Sequence, residues 1–293
     1  IGRNRYIGYL ISLATRSYKG KRIGLDCANG STFNIAKSVF DALGAKTYVV
    51  GNEPNGLNIN LNCGSTHIDN LVNLVKEKEL DCGFAFDGDA DRCIAVDETG
   101  QVIDGDYIIY ICGTYLKKHG RLDGNHVVAT IMANLGLFKA LEKNDIEYDV
   151  TTVGDKYVNE DMVKHGYVLG GEQSGHIIFS KHATTGDGIL TAIMIMEVIM
   201  EEKTSLHTLA SGMKKYPQLL KNVKVDDKDA ILNNEKVQKC KDEIEAELKG
   251  NGRILLRASG TEPVIRVMAE ADTKELCAKY VDQMVDVIES VLN

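Results

Sequence analysis

The sequence DGDADR at positions 87–92, called the aspartate loop below, contains the residues with the clearest capacity for chemistry. Its aspartates alternate with small residues, and carboxylates this close repel one another unless a cation lies among them. Oxygen-only ligands favour a hard cation, Mg²⁺ or Ca²⁺. Apolar runs on both sides are typical of buried strands. The pattern therefore predicts a metal-binding loop between two strands, with Asp87, Asp89 and Asp91 as ligands.

Other interpretations of the aspartate loop compete with this one. An EF-hand calcium loop needs glycine at its sixth position, where Arg92 stands, and it needs helices rather than strands on either side. Asp87 at a strand end could instead be a nucleophile that forms an aspartyl-phosphate, as in some phosphatases. A solvated acidic turn is the simplest interpretation, since Asp-x-Asp alone is weak evidence. The full string between two apolar runs favours the metal loop.

A second polar loop, GEQSGH at positions 171–176, offers a carboxylate, an amide, a hydroxyl and an imidazole within a few residues. Carboxylates and hydroxyls suit the vicinal hydroxyls of a sugar, and His176 could exchange a proton near neutral pH. Taken alone, a polar hairpin turn is a slightly better interpretation, because glycine-rich turns with polar residues are common.

A third loop reads RASGTEP from Arg257 onward and is followed by Arg266; residues 257–266 are called the arginine loop below. Ser259, Thr261 and the N–H groups around Gly260 can form a concave nest of donors. The two arginines add charge-assisted bonds to a phosphate dianion. The loop lacks the lysine and spacing of a nucleotide P-loop. A plain turn with surface arginines is the alternative, but small donors bracketed by arginines favour phosphate binding.

Composition limits the classes of function. The chain has 293 residues and a formal net charge of −8, which argues against non-specific binding of nucleic acid. No apolar run is long enough to span a bilayer, so no membrane partner is expected. The seven cysteines are scattered and odd in number, which is typical of reduced residues in a cytoplasmic protein.

The order of elements predicts an α/β fold. Strands alternate with helices along 22–118 and again along 126–202, as in two similar α/β layered domains with mainly parallel sheets. The regular alternation of strands and helices ends after Pro217, where a smaller α+β domain is expected. The predicted domains are 1–120, 121–218 and 219–293. Two helices are predicted in the first of these domains, one opened by residues 29–32 and running through Leu43, and one capped by Ser65 or Thr66 and running through Glu79.

Together and in this order, the three loops resemble those of the α-D-phosphohexomutase superfamily, over the whole chain. Gln173 within GEQSGH and the stretch VGDKYV from Val153 are most similar to the bacterial, glucosamine-specific members. Relatives specific for mannose or glucose tend to carry Met at the position of Gln173. Ala90, where Gly is usual, and Ala258, where Pro is usual, are mild departures that should spare metal and phosphate binding.

The resemblance implies a Mg²⁺-dependent mutase that interconverts glucosamine 6-phosphate and glucosamine 1-phosphate through a bisphosphate. The implied metal ligands are Asp87, Asp89 and Asp91. The implied catalytic residues are Arg92, which helps to hold the transferring phosphoryl group, and Lys156 and His176, which transfer protons or position the substrate. The implied substrate-binding residues are Glu172 and Ser174 for the sugar hydroxyls, and Arg257, Ser259, Gly260, Thr261 and Arg266 for the phosphate that does not react.

The superfamily has four domains, and its first carries a phosphoserine in a Ser-His-Asn-Pro context that is not found in this sequence. The resemblance therefore implies domains two to four, inactive alone, with the N-terminal domain of the same enzyme as a partner. A second copy of the chain, in a homodimer, is a further candidate partner. The alternatives are a mannose- or glucose-phosphate mutase of this superfamily, an inert phosphosugar-binding piece, and a Mg²⁺ phosphatase with an aspartyl nucleophile.

Overall fold

The structure, a computed structural model, describes residues 2–292 and contains two compact units. The first unit takes the chain up to Ala133 and then Leu137–Met213, and the second takes Asn134–Gly136 and the chain from Lys214 onward. None of the helices within residues 2–292 combines the length and the apolar character needed to cross a membrane.

The first sheet of the first unit carries the aspartate loop. Its strands are β1 (Arg22–Asp26), β2 (Lys46–Val50), β3 (Cys82–Phe86), β4 (Cys93–Asp97) and β5 (Val102–Ile103), in the order β2-β1-β3-β4-β5. β2 and β3 run parallel to β1, whereas β4 is antiparallel to β3 and β5 is antiparallel to β4. The neighbouring helices are α1 (Gly2–Ser12), α2 (Ala36–Ala42), α3 (Asp69–Lys78) and α4 (Gly105–Lys118).

Helices α2 and α3 begin later than predicted, so the early starts at 29–32 and at Ser65 or Thr66 are wrong. The segments before both helices are instead bonded to the region of the aspartate loop: Ser31 N donates to Gly88 O at 3.2 Å, and Ser65 N donates to Phe86 O at 3.0 Å. Asn29 has a left-handed φ of 50°, which an α-helix does not accommodate. Tertiary bonds to β3 and its loop outweigh the capping preference of these polar residues.

The second sheet belongs to the same unit and repeats the pattern. Its strands are β6 (His126–Thr130), β7 (Glu147–Thr151), β8 (Leu169–Gly171) and β9 (Ile177–Phe179), in the order β7-β6-β8-β9. β7 and β8 run parallel to β6, and β9 returns antiparallel to β8. The helices are α5 (Leu135–Lys143), α6 (Asp155–His165), α7 (Gly188–Glu202) and α8 (Leu206–Ala210). One apolar core joins both sheets, with Phe84 and Val127 among its buried members.

The second unit is an antiparallel sheet covered by helices. Its strands are β10 (Gln218–Lys224), β11 (Arg253–Ala258) and β12 (Val264–Glu270), with β12 in the centre, and its helices are α9 (Lys228–Leu232), α10 (Glu235–Leu248) and α11 (Lys274–Val291). It has an apolar core of its own. The predicted α/β architecture, with mostly parallel sheets followed by a smaller α+β domain, is confirmed. The domain boundaries after 120 and 218 stay predictions.

Candidate functional site

The aspartate loop joins β3 to β4, two fully buried antiparallel strands paired as Phe86 with Cys93 at their ends. Arg92 N donates to Asp87 Oδ1 at 3.0 Å, and Ala90 N donates to Asp87 O at 3.1 Å. Ala90 adopts a left-handed φ of 64°, the conformation that glycine would adopt without strain. The loop therefore turns tightly around the side chain and carbonyl of Asp87.

The carboxylates of Asp87, Asp89 and Asp91 converge, each offering an oxygen that lies within 4.8 Å of the others. Burial, followed by the negative charge of Asp87, raises the pKa of Asp91. Like charges this close are relieved by a cation, and a donor set of carboxylate oxygens alone suits a hard divalent ion such as Mg²⁺. The residues present therefore fit the metal that the sequence predicts.

Two segments, at residues 28–31 and 60–64, hold the aspartate loop from outside. Gly88 N donates to Asn60 Oδ1 at 3.1 Å, and Gly88 O accepts from Ser31 N. A Cβ on Gly30 would lie 2.6 Å from Gly88 Cα, so only glycine permits this approach. Buried Asp26 accepts from Ala28 N at 3.0 Å and from Gly64 N at 2.8 Å, which braces both of these segments. Sequence reasoning missed these supporting residues, because only tertiary packing brings them to the loop.

The GEQSGH loop lies directly against the aspartate loop. Cys93 N donates to Gly175 O at 3.0 Å, and Arg92 forms an isolated antiparallel bridge with His176. A Cβ on Gly186 would lie 2.6 Å from His176 Cε1 and 2.9 Å from Asp91 O. The structure thus brings together two loops that the sequence places about eighty residues apart.

The polar side chains of the GEQSGH loop are largely shielded from solvent. Glu172 Oε1 accepts from Gly154 N at 2.9 Å, just before α6. His176 is 7% exposed, and its Nε2 lies 3.6 Å from Asp155 Oδ2 and has no hydrogen-bond partner within residues 2–292. Ser174 Oγ is likewise buried without a partner there. Buried polar atoms without partners are costly and point to a ligand that supplies them.

Lys156 lies in the first turn of α6, one residue beyond Asp155. Its side chain is exposed, and its ammonium nitrogen is 4.0 Å from Glu160 Oε1 on the same helix and 5.8 Å from the ring centroid of Tyr157. Both are weak surface contacts, so they leave the ammonium group available to a ligand. The structure therefore places Lys156 beside Asp155, which in turn lies near His176 Nε2.

The arginine loop belongs to the second unit. Arg257 on β11 and Arg266 on β12 are directly opposed in the antiparallel register. Like charges in that position repel each other, and an anion between them removes the penalty. Arg266 Nε is buried and has no hydrogen-bond partner in the part of the chain that the structure describes. The register therefore brings two positive charges together, one of them with an unpartnered donor.

The turn of the arginine loop is held by buried Ser259, whose Oγ accepts from Glu262 N at 3.1 Å and from Thr261 N at 3.4 Å. Lys228, at the start of α9, donates to Ser259 O at 2.6 Å. Lys228 adds a positive charge beside the turn and was missed by sequence reasoning, because it lies about thirty residues away in the chain. Gly260 is open, since a Cβ added there would meet no atom within 4 Å.

The chain matches three models of one protein family. The matches are to phosphoglucomutase/phosphomannomutase alpha/beta/alpha domain II over residues 4–100, alpha/beta/alpha domain III over 104–216, and the C-terminal domain over 220–287. The mostly parallel sheets and the aspartate loop agree with this class of protein. The chain belongs to the phosphoglucomutase/phosphomannomutase family, as its resemblance to the phosphohexomutases predicted.

Among curated relatives, the chain is similar to phosphoglucosamine mutases. It is 60% identical over 288 residues to the enzyme of Lachnoclostridium phytofermentans, covering 98% of this chain and 64% of that protein. It is 52% identical over 289 residues to the enzyme of Bacillus subtilis (strain 168), covering 99% of this chain and 64% of that protein. The chain thus spans about 64% of the length of these relatives, which are phosphosugar mutases.

Solved structures show the same fold at low identity. Aspergillus fumigatus N-acetylphosphoglucosamine mutase, in complex with GlcNAc-6P and magnesium, matches with a TM-score of 0.77 at 19% identity, covering 97% of this chain and 68% of that one. A phosphoglucomutase/phosphomannomutase family protein from Burkholderia thailandensis matches with a TM-score of 0.79 at 20% identity, covering 98% of this chain and 64% of that one.

Proposed function

We propose that this chain binds Mg²⁺ and glucosamine phosphates as part of a phosphoglucosamine mutase, which interconverts glucosamine 6-phosphate and glucosamine 1-phosphate. The observation that supports the proposal is the contact between the aspartate loop and the GEQSGH loop, which brings the three converging carboxylates close to the loop that contains Glu172, Ser174 and His176. The 60% identity to a phosphoglucosamine mutase favours glucosamine among the sugars of this family.

Asp87, Asp89 and Asp91 hold the Mg²⁺ in this proposal. The ion would neutralise charge that develops on the transferring phosphoryl group. Arg92 follows Asp91 directly and pairs with His176 through its backbone, and its guanidinium would hold phosphoryl oxygens. These roles require no rearrangement of the loop, because its carboxylates already converge.

The GEQSGH loop would bind the sugar. Glu172 accepts from sugar hydroxyls and Ser174 donates to them, and Ser174 Oγ is free of protein partners within residues 2–292. His176 holds or moves a proton at the reacting hydroxyl, with its Nε2 near Asp155. Lys156, the next residue in the chain, adds positive charge for positioning. Sugar binding would thus supply partners for atoms that otherwise lie buried without them.

The arginine loop would hold the phosphate that is not transferred. Arg257 and Arg266 offer charge-assisted bonds from opposed strands, and Ser259, Gly260 and Thr261 shape the turn between them. A mutase needs such an anchor, because either phosphate of the bisphosphate intermediate must be held while the other reacts.

The transferring step itself would need a phosphoserine in a domain that precedes the three proposed domains 1–120, 121–218 and 219–293. We therefore propose the N-terminal domain of the same enzyme as the partner of this chain, and a homodimer in the cytoplasm as the working form. The 293-residue chain alone is expected to bind substrate and to be inactive.

Coupled detection of glucosamine 1-phosphate tests this proposal on the purified chain. With Mg²⁺ and the bisphosphate activator present, we expect no turnover of glucosamine 6-phosphate, while isothermal titration shows that the sugar phosphate binds. Turnover that is lost on Asp87→Asn and accompanied by a hydroxylamine-sensitive phosphoenzyme would replace the proposal with an aspartyl nucleophile. Absence of any sugar-phosphate binding would also contradict it.

A further inference from the structure

A second group of metal-ligating side chains lies away from the candidate site, and we call it the histidine–aspartate cluster. Its members are His126 at the start of β6, Asp149 on β7, and Asp161 and His165 on α6. The candidate site lies at the start of α6 and His165 ends this 11-residue helix, so about 15 Å of helix separates the two regions. The proposed mutase reaction uses none of these four residues.

Asp149, Asp161 and His165 have the spacing of a coordination sphere. His165 Nδ1 lies 3.5 Å from Asp161 Oδ1 and 3.7 Å from Asp149 Oδ2. One ligand atom from each of these three residues lies within 4.8 Å of the other two. His126 Nε2 lies 3.6 Å from Asp149 Oδ1. Tetrahedral ligands bonded to an ion at about 2.1 Å are about 3.4 Å apart, so the observed separations need little adjustment.

Carboxylate oxygens crowd together in the cluster. His126 Nδ1 lies 2.8 Å from Gly124 O, and because a carbonyl can only accept, Nδ1 donates to it. His126 Nε2 faces Asp149 Oδ1 at 3.6 Å. Asp161 Oδ2 is shielded from solvent and has no hydrogen-bond partner among residues 2–292. A cation between the clustered carboxylates would stabilise their charges and this unpartnered oxygen.

The charges and the rings around the cluster favour the same conclusion. Glu147 Oε2 lies 3.6 Å from His126 Nδ1 and adds a further negative charge to the cluster. Both imidazoles stack on the ring of Tyr167, with centroid distances of 4.4 and 5.1 Å, which fixes their orientation before any ion arrives.

We propose that the histidine–aspartate cluster is a second divalent-cation site, which binds a borderline transition ion such as Zn²⁺, Ni²⁺ or Co²⁺. Imidazole nitrogens with carboxylate oxygens select this class, whereas the oxygen-only aspartate loop selects Mg²⁺. Asp149, Asp161 and His165 Nδ1 are the ligands. His165 Nδ1 also lies 3.0 Å from Asp161 O, so the ion takes the place of the proton shared there, and binding releases that proton.

Co²⁺ titration of the 293-residue chain tests the proposal, because tetrahedral Co²⁺ with nitrogen and oxygen ligands gives visible absorption bands. The titration uses an Asp89→Asn background, so that the aspartate loop does not contribute. We expect one equivalent of Co²⁺ to bind, excess Zn²⁺ to displace it, and excess Mg²⁺ to leave it in place. Asp161→Asn and His165→Gln should each weaken Co²⁺ binding at least tenfold.

The matched control is His67→Gln, which removes an exposed imidazole that lies outside the cluster. It should leave the Co²⁺ spectrum and affinity unchanged. Thermal unfolding of each variant without metal confirms that the comparison is between folded proteins. Absence of Co²⁺ binding in the Asp89→Asn protein would overturn the proposal, and so would binding that Asp161→Asn and His165→Gln leave unchanged. The outcome is independent of the mutase assay.

Discussion

The aspartate loop and the arginine loop each connect two antiparallel strands, but they bring their charged side chains together in different ways. All three carboxylates of the aspartate loop stand within the turn itself, and residues 30–31 and 60 contact Gly88 from outside. The arginines of the other loop stand on the strands, opposed by register, and the turn at Gly260 is open. The first loop is positioned by external packing, and the second by the pairing of its own strands.

This difference indicates what each region can tolerate. A loop that is packed against other segments should lose its geometry when that packing is disturbed. A site built from opposed strand positions should depend on the charged side chains and remain insensitive to additions at its turn. Three pairs of substitutions separate these expectations, beginning with the largest effect.

Asp89→Asn should reduce Mg²⁺ affinity most. One of three converging carboxylate charges is removed, and direct loss of a ligand should exceed the roughly 10–100-fold cost of losing a metal site's outer hydrogen-bond partner. Isothermal titration with Mg²⁺ measures the loss. Asp242→Asn, an exposed carboxylate on α10, is the charge-matched control and should have no effect. Unchanged affinity in Asp89→Asn would mean that the aspartates do not bind the ion.

Arg257→Ala should weaken binding of glucosamine 6-phosphate by about 1.5–3 kcal/mol, the usual contribution of a hydrogen bond to a charged group. Titration of the sugar phosphate into the purified variant measures this loss. Glu262→Gln, within the same turn, should cost less, because a carboxylate repels phosphate and its backbone N–H already donates to Ser259 Oγ. Equal losses from both changes would show that the arginine loop is not the phosphate site.

The third pair compares the unfolding free energies of Gly30→Ala and Gly260→Ala. It should give the smallest effect, and it compares the two loops most directly. A Cβ on Gly30 would meet Gly88 Cα and O at 2.6 Å, which forces the aspartate loop to shift. We expect a loss of about 1–3 kcal/mol in unfolding free energy, with weaker Mg²⁺ binding. Gly260→Ala meets no atom within 4 Å and should change stability by less than about 0.5 kcal/mol. Urea unfolding of both variants decides whether external packing distinguishes the loops.

The sequence predicted the parts of the fold and of the candidate site that depend on short-range pattern. Alternating strands and helices predicted the α/β layers, since hydrophobic period and turn residues are local properties. The carboxylates of Asp87, Asp89 and Asp91 converge because they are neighbours in one short turn between two buried strands. The convergence of these carboxylates could therefore be predicted without knowledge of the rest of the chain.

Tertiary structure alone decided what depends on contacts between distant segments. Helices α2 and α3 start late because Ser31 and Ser65 bond to residues near the aspartate loop instead of beginning a helix. Asn60 supports Gly88, and Lys228 supports Ser259, across about thirty residues of chain in each case. The histidine–aspartate cluster combines side chains from three separate elements. Strand register and helix packing set these distances, and neither is encoded in the local spacing of residues.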